Sequence, residues 1–185
     1  MSDDLPLNGP HWSFAVGLYG KPGVAEACLW LQDALGVDVN VLLLALFAAS
    51  ERGIALTPSD IAELDQAAAE WRAEVVIALR TIRRRLKTGP PPAPGAAAEV
   101  LRDAVKGAEL RAEQIEQAVL ANWIEQNASR AERETVNVGE VLRGVVEFFA
   151  ARSDANIDPA IRSTKDAAIE AILLQMGAAQ AARSK

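Results

Sequence analysis

The chain has 185 residues, half of them apolar but only 5% aromatic, and a formal net charge of -6. An alanine-rich, aromatic-poor balance favours close-packed helices over a sheet, which would use more Val, Ile, Thr and aromatic residues. The acidic surface disfavours phosphate-backbone binding, the single Cys28 allows no internal disulfide, and the longest apolar run, Val41 to Ala49, is far below the roughly 20 residues of a membrane span.

The expectation is an all-α bundle of six to seven helices. Residues 1–10 read as a flexible lead-in; their acidic start lacks the basic-then-apolar order of a secretion signal, which points to the cytoplasm. A first helix covers His11 to Tyr19 and stops at Gly20. Pro22 suits the first turn of a second helix ending at Gly36, with Val24, Ala27, Cys28, Leu31 and Leu35 at three-four spacing. Asp38 can cap a third, Val39 to Arg52, whose middle is apolar nearly all round and therefore central.

In Leu56-Thr57-Pro58-Ser59-Asp60, Thr57 is placed to be an N-cap, Pro58 to take the first helical position and Asp60 to complete a capping box. One long helix to about Lys87 should follow, with a stripe of Ile61, Leu64, Ala68, Trp71, Val75, Leu79, Ile82 and Leu86. A stiff proline connector occupies 89–95. The next helix begins near Ala96 and carries Val100, Leu101, Val105, Ala108, Ile115, Val119, Leu120 and Trp123. Glu125 to Val138 reads as a loop or frayed end, and two amphipathic segments close the chain, Gly139–Ala151 and Asp158–Ala182. Residues 11–128 thus form a core domain, and 129–185 a helical segment packed on that core or on a second subunit.

The run Trp12-Ser13-Phe14-Ala15, Leu18-Tyr19, Pro22-Gly23-Val24, Cys28-Leu29 with Leu31-Gln32, and Gly36-Val37-Asp38-Val39-Asn40 resembles a small proteobacterial family of uncharacterised helical proteins. The resemblance continues through Trp71, the arginine-rich turn and the block from Val105 to Glu113, spanning about residues 12–121. It implies a bacterial helical domain and brings no activity, substrate or catalytic residue.

Three constellations are candidates for chemistry. Glu26 and Asp33, seven apart on one helix face, and Asp38 beyond the next turn could hold a divalent metal or act as general acid and base. Their ordinary roles are structural: a first-turn acid for Glu26, an N-cap for Asp38, and salt bridges. Arg80, Arg83, Arg84 and Lys87 share a face suited to an anion or an acidic partner, or to salt bridges, including Arg80 or Arg84 with Glu26 or Asp33. Phe148, Phe149, Ile169 and Leu173 lie on apolar faces that must be buried against the chain's own domain or in a homo-oligomer. Gln32 and Asn40 read as buried amides that satisfy neighbours. His11 stands without partners for zinc, no glycine pattern matches a nucleotide loop, and no cofactor is expected. The resulting reading is a non-enzymatic binding or regulatory module acting through protein contacts. The alternatives are a small-ligand or metal-dependent enzyme using the acids beside the arginines, and a weak nucleic-acid binder.

Overall fold

The computed structural model describes residues 5–127, 136–153 and 158–183. The expectations for the first four residues, for Ile157 and for 128–135 within the polar stretch lie outside them. The elements are α1 (Pro10–Tyr19), α2 (Val24–Leu35), α3 (Val39–Glu51), α4 (Pro58–Trp71), a π-helical turn (Arg72–Val76), α5 (Ile77–Thr88), α6 (Ala96–Asn127), α7 (Val138–Ala150) and α8 (Pro159–Arg183). Because α4, the π turn and α5 run on without a break, they form one rod among seven, and the described residues contain no strand. The fold is all-α, as the composition implies.

Each boundary has a local cause. Asp38 caps α3 by accepting the Val41 N–H at 2.9 Å, which satisfies a donor the helix cannot pair internally. The Thr57–Asp60 capping box forms in both directions: the Thr57 N–H donates to Asp60 at 2.8 Å and the Asp60 N–H to the Thr57 hydroxyl at 3.2 Å. Asp158 caps α8 in the same way, taking the Ile161 N–H at 2.8 Å. Pro22, by contrast, lies in the turn before α2 rather than in its first turn. The cap is Gly23 at φ 80, a left-handed conformation open to glycine and strained for other residues. Gly36, at φ 69, ends the same helix.

α3 is the axis of the molecule. Every residue from Asn40 to Ala49 is buried, enclosed by α1, α6 and α7, while α8 lies along α2. Helix α6 departs from the expected stripe. Val100 is 73% exposed, and Leu101 also faces outward, as does Leu110; Leu120 is buried as expected, with Ile124, but the rest of the buried face carries Glu109, Gln114, Glu116 and Gln117 together with alanines. Gln114 anchors the leading segment by donating to the Leu7 carbonyl and the Asn8 side chain, each at 2.9 Å.

The long rod also departs from a uniform stripe. Ile61, Leu64 and Ala68 are buried as expected, but Val76, at the end of the π turn, is buried and Ile82, beyond it, is exposed. A π turn inserts a residue into the helical count, so it rotates the α5 face relative to that of α4.

The apolar residues singled out near the C-terminus pack on the chain's own core, while Leu174 on α8 is 70% exposed. Phe149 and Ile169 are buried in the common core, and Phe148 and Leu173 pack partly buried against it. No helix among the described residues is long and apolar enough to cross a membrane.

Two substitutions compare local and global contributions to this fold. Thr57→Ala, which removes an exposed cap, should cost about 1 kcal/mol in urea denaturation. Leu44→Ala, at a fully buried site on the axis, should cost about 2–5 kcal/mol; equal losses would contradict the central placing of α3.

Candidate functional site: an arginine–carboxylate network beneath an open cleft

The π turn begins at Arg72, and this residue joins its own turn to three helices. Its Nε lies 2.8 Å from an Asp38 carboxylate oxygen and 2.9 Å from one of Glu116, while Nη1 lies 2.6 Å from Asp65. The cap of α3, the body of α4 and the buried face of α6 therefore meet on one guanidinium. Next to it, the Trp71 indole N–H donates to the Ala112 carbonyl at 3.0 Å, which fixes the rod against α6 at the same level.

One and a half turns beyond the π turn, α5 presents Arg80 and Arg83 to α6. Arg80 donates through Nε to Glu109 at 3.1 Å, through Nη2 to Glu113 at 2.7 Å and through Nη1 to the Gln32 side-chain carbonyl at 3.1 Å. Arg83 pairs with the same Glu109. A further pair of bonds extends the Arg72 group through amides: Asn40 donates to Glu116 at 2.8 Å, and Gln117 donates to the Asn40 side-chain oxygen at 2.9 Å.

Burial and mutual repulsion set the protonation of these acids. Glu116 has 0% exposure; burial first and the neighbouring Asp38 charge second push its pKa up to about 7, against the pull of Arg72. Burial likewise raises Asp38, despite Arg72 and the Val41 N–H, and raises Glu113 despite Arg80. Glu109 goes the other way: burial would raise it, but the hydrogen bonds from Arg83 and Arg80 together hold it low. Burial opposes the charge on Arg72, yet Asp38 and Glu116 hold its pKa above the ordinary arginine value.

Above this floor lies an open cleft of about 1150 Å³ between the α1–α3 side and the α5–α6 side. Its walls include Trp12, Val16, Tyr19, Leu29, Leu43 and Leu110, and its floor includes Gln32, Asn40, Arg80, Glu113 and Gln117. Apolar walls around a few convergent polar groups are the usual make-up of a binding site.

The structure distributes the residues singled out from the sequence among several roles. Asp38 belongs to the Arg72 network, Asp33 stands 3.9 Å from Arg84 with both side chains mostly exposed, and Glu26 is an exposed first-turn acid. Among the described residues no group of three or more His, Cys, Asp or Glu side chains could hold a metal ion. Of the arginine face, Arg80 and Arg83 are engaged by Glu109 and Glu113, Arg84 sits at the cleft rim, and Lys87 is exposed. Gln32 and Asn40 are both in the network. Cys28 is a buried free thiol, pushed by burial up to about 12, and is thus inert at neutral pH. His11 is buried edge-on to Phe47.

Sequence reasoning missed Arg72, Glu109, Glu113, Glu116 and Gln117. A signal for them existed: Glu109, Glu113 and Glu116 fall at i, i+4 and i+7, a single stripe of acids on one helix, and the preceding rod carries a matching set of arginines. Such a stripe ordinarily reads as a solvated face, and only the fold turns it inward.

Arg72→Met would leave several carboxylates facing one another, and should cost about 3–5 kcal/mol in chemical denaturation. Arg84→Ala, which breaks an exposed pair, should cost less than about 0.5 kcal/mol. The raised Glu116 also predicts a pH dependence. From the ordinary carboxylate value of 4.5 up to about 7, the folded chain holds a proton that the unfolded chain releases, so the stability Glu116 contributes is lost as pH rises through that window. Glu116→Gln should flatten this decline in urea melts at stepped pH, and an unchanged slope would contradict the assignment.

Neither a curated protein nor a solved structure matches the chain. A family model does match, over residues 10–120, which takes in α1 through most of α6 and so both sides of the cleft and nearly all of the network beneath it. The chain belongs to the family described as "Protein of unknown function (DUF2390)".

Proposed function

We propose that the protein is a non-enzymatic binding module that receives a segment of a protein partner in the cleft between α1–α3 and α5–α6. The observation that carries this reading is the division of labour in the cleft. Val16, Leu29 and Leu110 are large apolar side chains left about half exposed at its walls, where a partner would cover them. The polar floor beneath is braced by ion pairs and offers fixed hydrogen-bonding geometry at low entropic cost. A cleft of about 1150 Å³ has room for a few side chains of an inserted segment.

The acids and arginines fit this role better than catalysis. Glu109 and Glu113 are held by Arg80, and Asp38 by Arg72, an arrangement that positions side chains and presents shape.

The test is selection of binding peptides from a random display library. Peptides enriched on the wild-type protein should lose binding to Val16→Trp and Leu110→Trp, which fill the cleft from exposed positions. They should keep binding to Val100→Glu, on the exposed start of α6. Enriched peptides indifferent to both cleft variants, or no enrichment at all, would refute the reading.

A further inference from the structure

No residue of α5 is buried, although the helix carries large apolar side chains. Ile77 is 46% exposed and Ile82 49%, and neither lines the cleft. An apolar helix face that its own domain leaves open is ordinarily covered by another surface.

The order of residues on this face identifies the cover. Glu74, Ala78, Thr81 and Arg85 follow one another at i, i+4, i+7 and i+11, a single line along the π turn and α5. Ile77 and Ile82 flank that line, and all six residues are exposed. Reversed about the point midway between Leu79 and Arg80, the face becomes its own complement. Glu74 exchanges places with Arg85, Ala78 with Thr81 and Ile77 with Ile82. A second copy laid antiparallel across it would set acid on base at both ends of the seam. Small residues would meet at the centre, and isoleucines would line both sides. A two-fold axis requires this self-matching, and an unrelated partner gives no reason for it.

The groups on the face are available for such a pairing. Neither Glu74 nor Arg85 has a side-chain partner among the described residues, whereas Arg80 and Arg83 nearby are held by α6. The Thr81 hydroxyl donates to the Ile77 carbonyl of its own helix at 2.8 Å, so its proton needs no acceptor from outside. Ala78 and Thr81 are short enough for the two axes to approach to about 8 Å, the close end of helix packing. Beyond Ile82, Leu86 and Leu101 line a groove of about 600 Å³ that extends the apolar surface towards α6.

From this self-complementary face we propose that the protein dimerises through α5, two copies packing antiparallel about a two-fold axis between Leu79 and Arg80. The isoleucines supply affinity, and the Glu74–Arg85 pairs at the ends fix the register. The seam is short, because α5 rises only about 18 Å. It therefore buries less than the roughly 800 Å² per partner of a standard interface, which fits a dimer that dissociates in the micromolar range. None of the six residues lines the cleft, so the pairing is independent of what the cleft binds.

Sedimentation equilibrium from about 1 µM to about 1 mM tests the inference. The mass should rise from 19.7 kDa towards twice that value. Glu74→Arg and Arg85→Glu each set like charges against one another at both ends of the seam, and each should weaken the dimer about tenfold or more. Mixing the two single variants should restore association, because each copy then meets the charge it lacks. Ile82→Asp should abolish the dimer. These positions are all exposed, so the variants should keep the helical circular dichroism of the wild type. A monomer across the whole range would overturn the inference. So would a dimer that both charge reversals leave intact, or a mixture that associates no better than either variant alone.

Discussion

One guanidinium, that of Arg72, sits among the carboxylates of Asp38, Asp65 and Glu116, and the arrangement of the core follows from keeping it there. Such a group cannot be taken from water without several kcal/mol of desolvation unless acids surround it. The acids come from three places in the sequence: the cap of α3, the body of α4 and the buried face of α6. Satisfying Arg72 therefore brings these elements into register. The hydrophobic burial of α3 supplies most of the driving force, but apolar packing is tolerant of sliding, and a charge with several specific partners is not. The π turn that starts at Arg72 is part of the same solution. It changes the helical phase so that α4 can present one face to the core and α5 can present Arg80 and Arg83 to α6.

The consequences reach the cleft. Glu116, held by Arg72, orients Asn40, and Asn40 orients Gln117. A side chain at the cleft floor is thereby set by an ion pair deeper in the molecule. The second group, Arg80 between Glu109, Glu113 and Gln32, holds α5, α6 and α2 at the distance that leaves the cleft open. Several of these acids are protonated more readily than free carboxylates, because burial disfavours their charge and too few arginines offset it.

The sequence showed the frame of this molecule more clearly than its interior. The caps at Asp38 and Thr57–Asp60 were legible because they are local: each depends on residues within one turn. The central role of Val41 to Ala49 was legible because a helix apolar on all sides has only one place to go. Ile82, exposed, was misplaced, and Val76, buried, was left off the stripe, because a uniform period of 3.6 residues cannot anticipate a π turn. Val100 and Leu101 were misplaced for a related reason: on α6 the acids and amides are buried and the apolar residues of the first half are not, an inversion of the usual pattern that only pairing with arginines on another helix can stabilise. The link between Arg84 and Asp33 was foreseeable, but the consequential partners of Arg80 lie 29 and 33 residues away, beyond what periodicity can assign.

The central claim is that Arg72 and its carboxylates act as one cooperative unit joining α3, α4 and α6. A double-mutant cycle on Arg72→Met and Glu116→Leu, measured by urea denaturation at neutral pH, tests it most directly. If the unit is cooperative, the double variant should lose less than the sum of the two single losses, by about 1–3 kcal/mol, because each single change strands the other charge. Losses that add to within about 0.5 kcal/mol would mean the two residues act independently, and the account of how this core is held in register would be wrong.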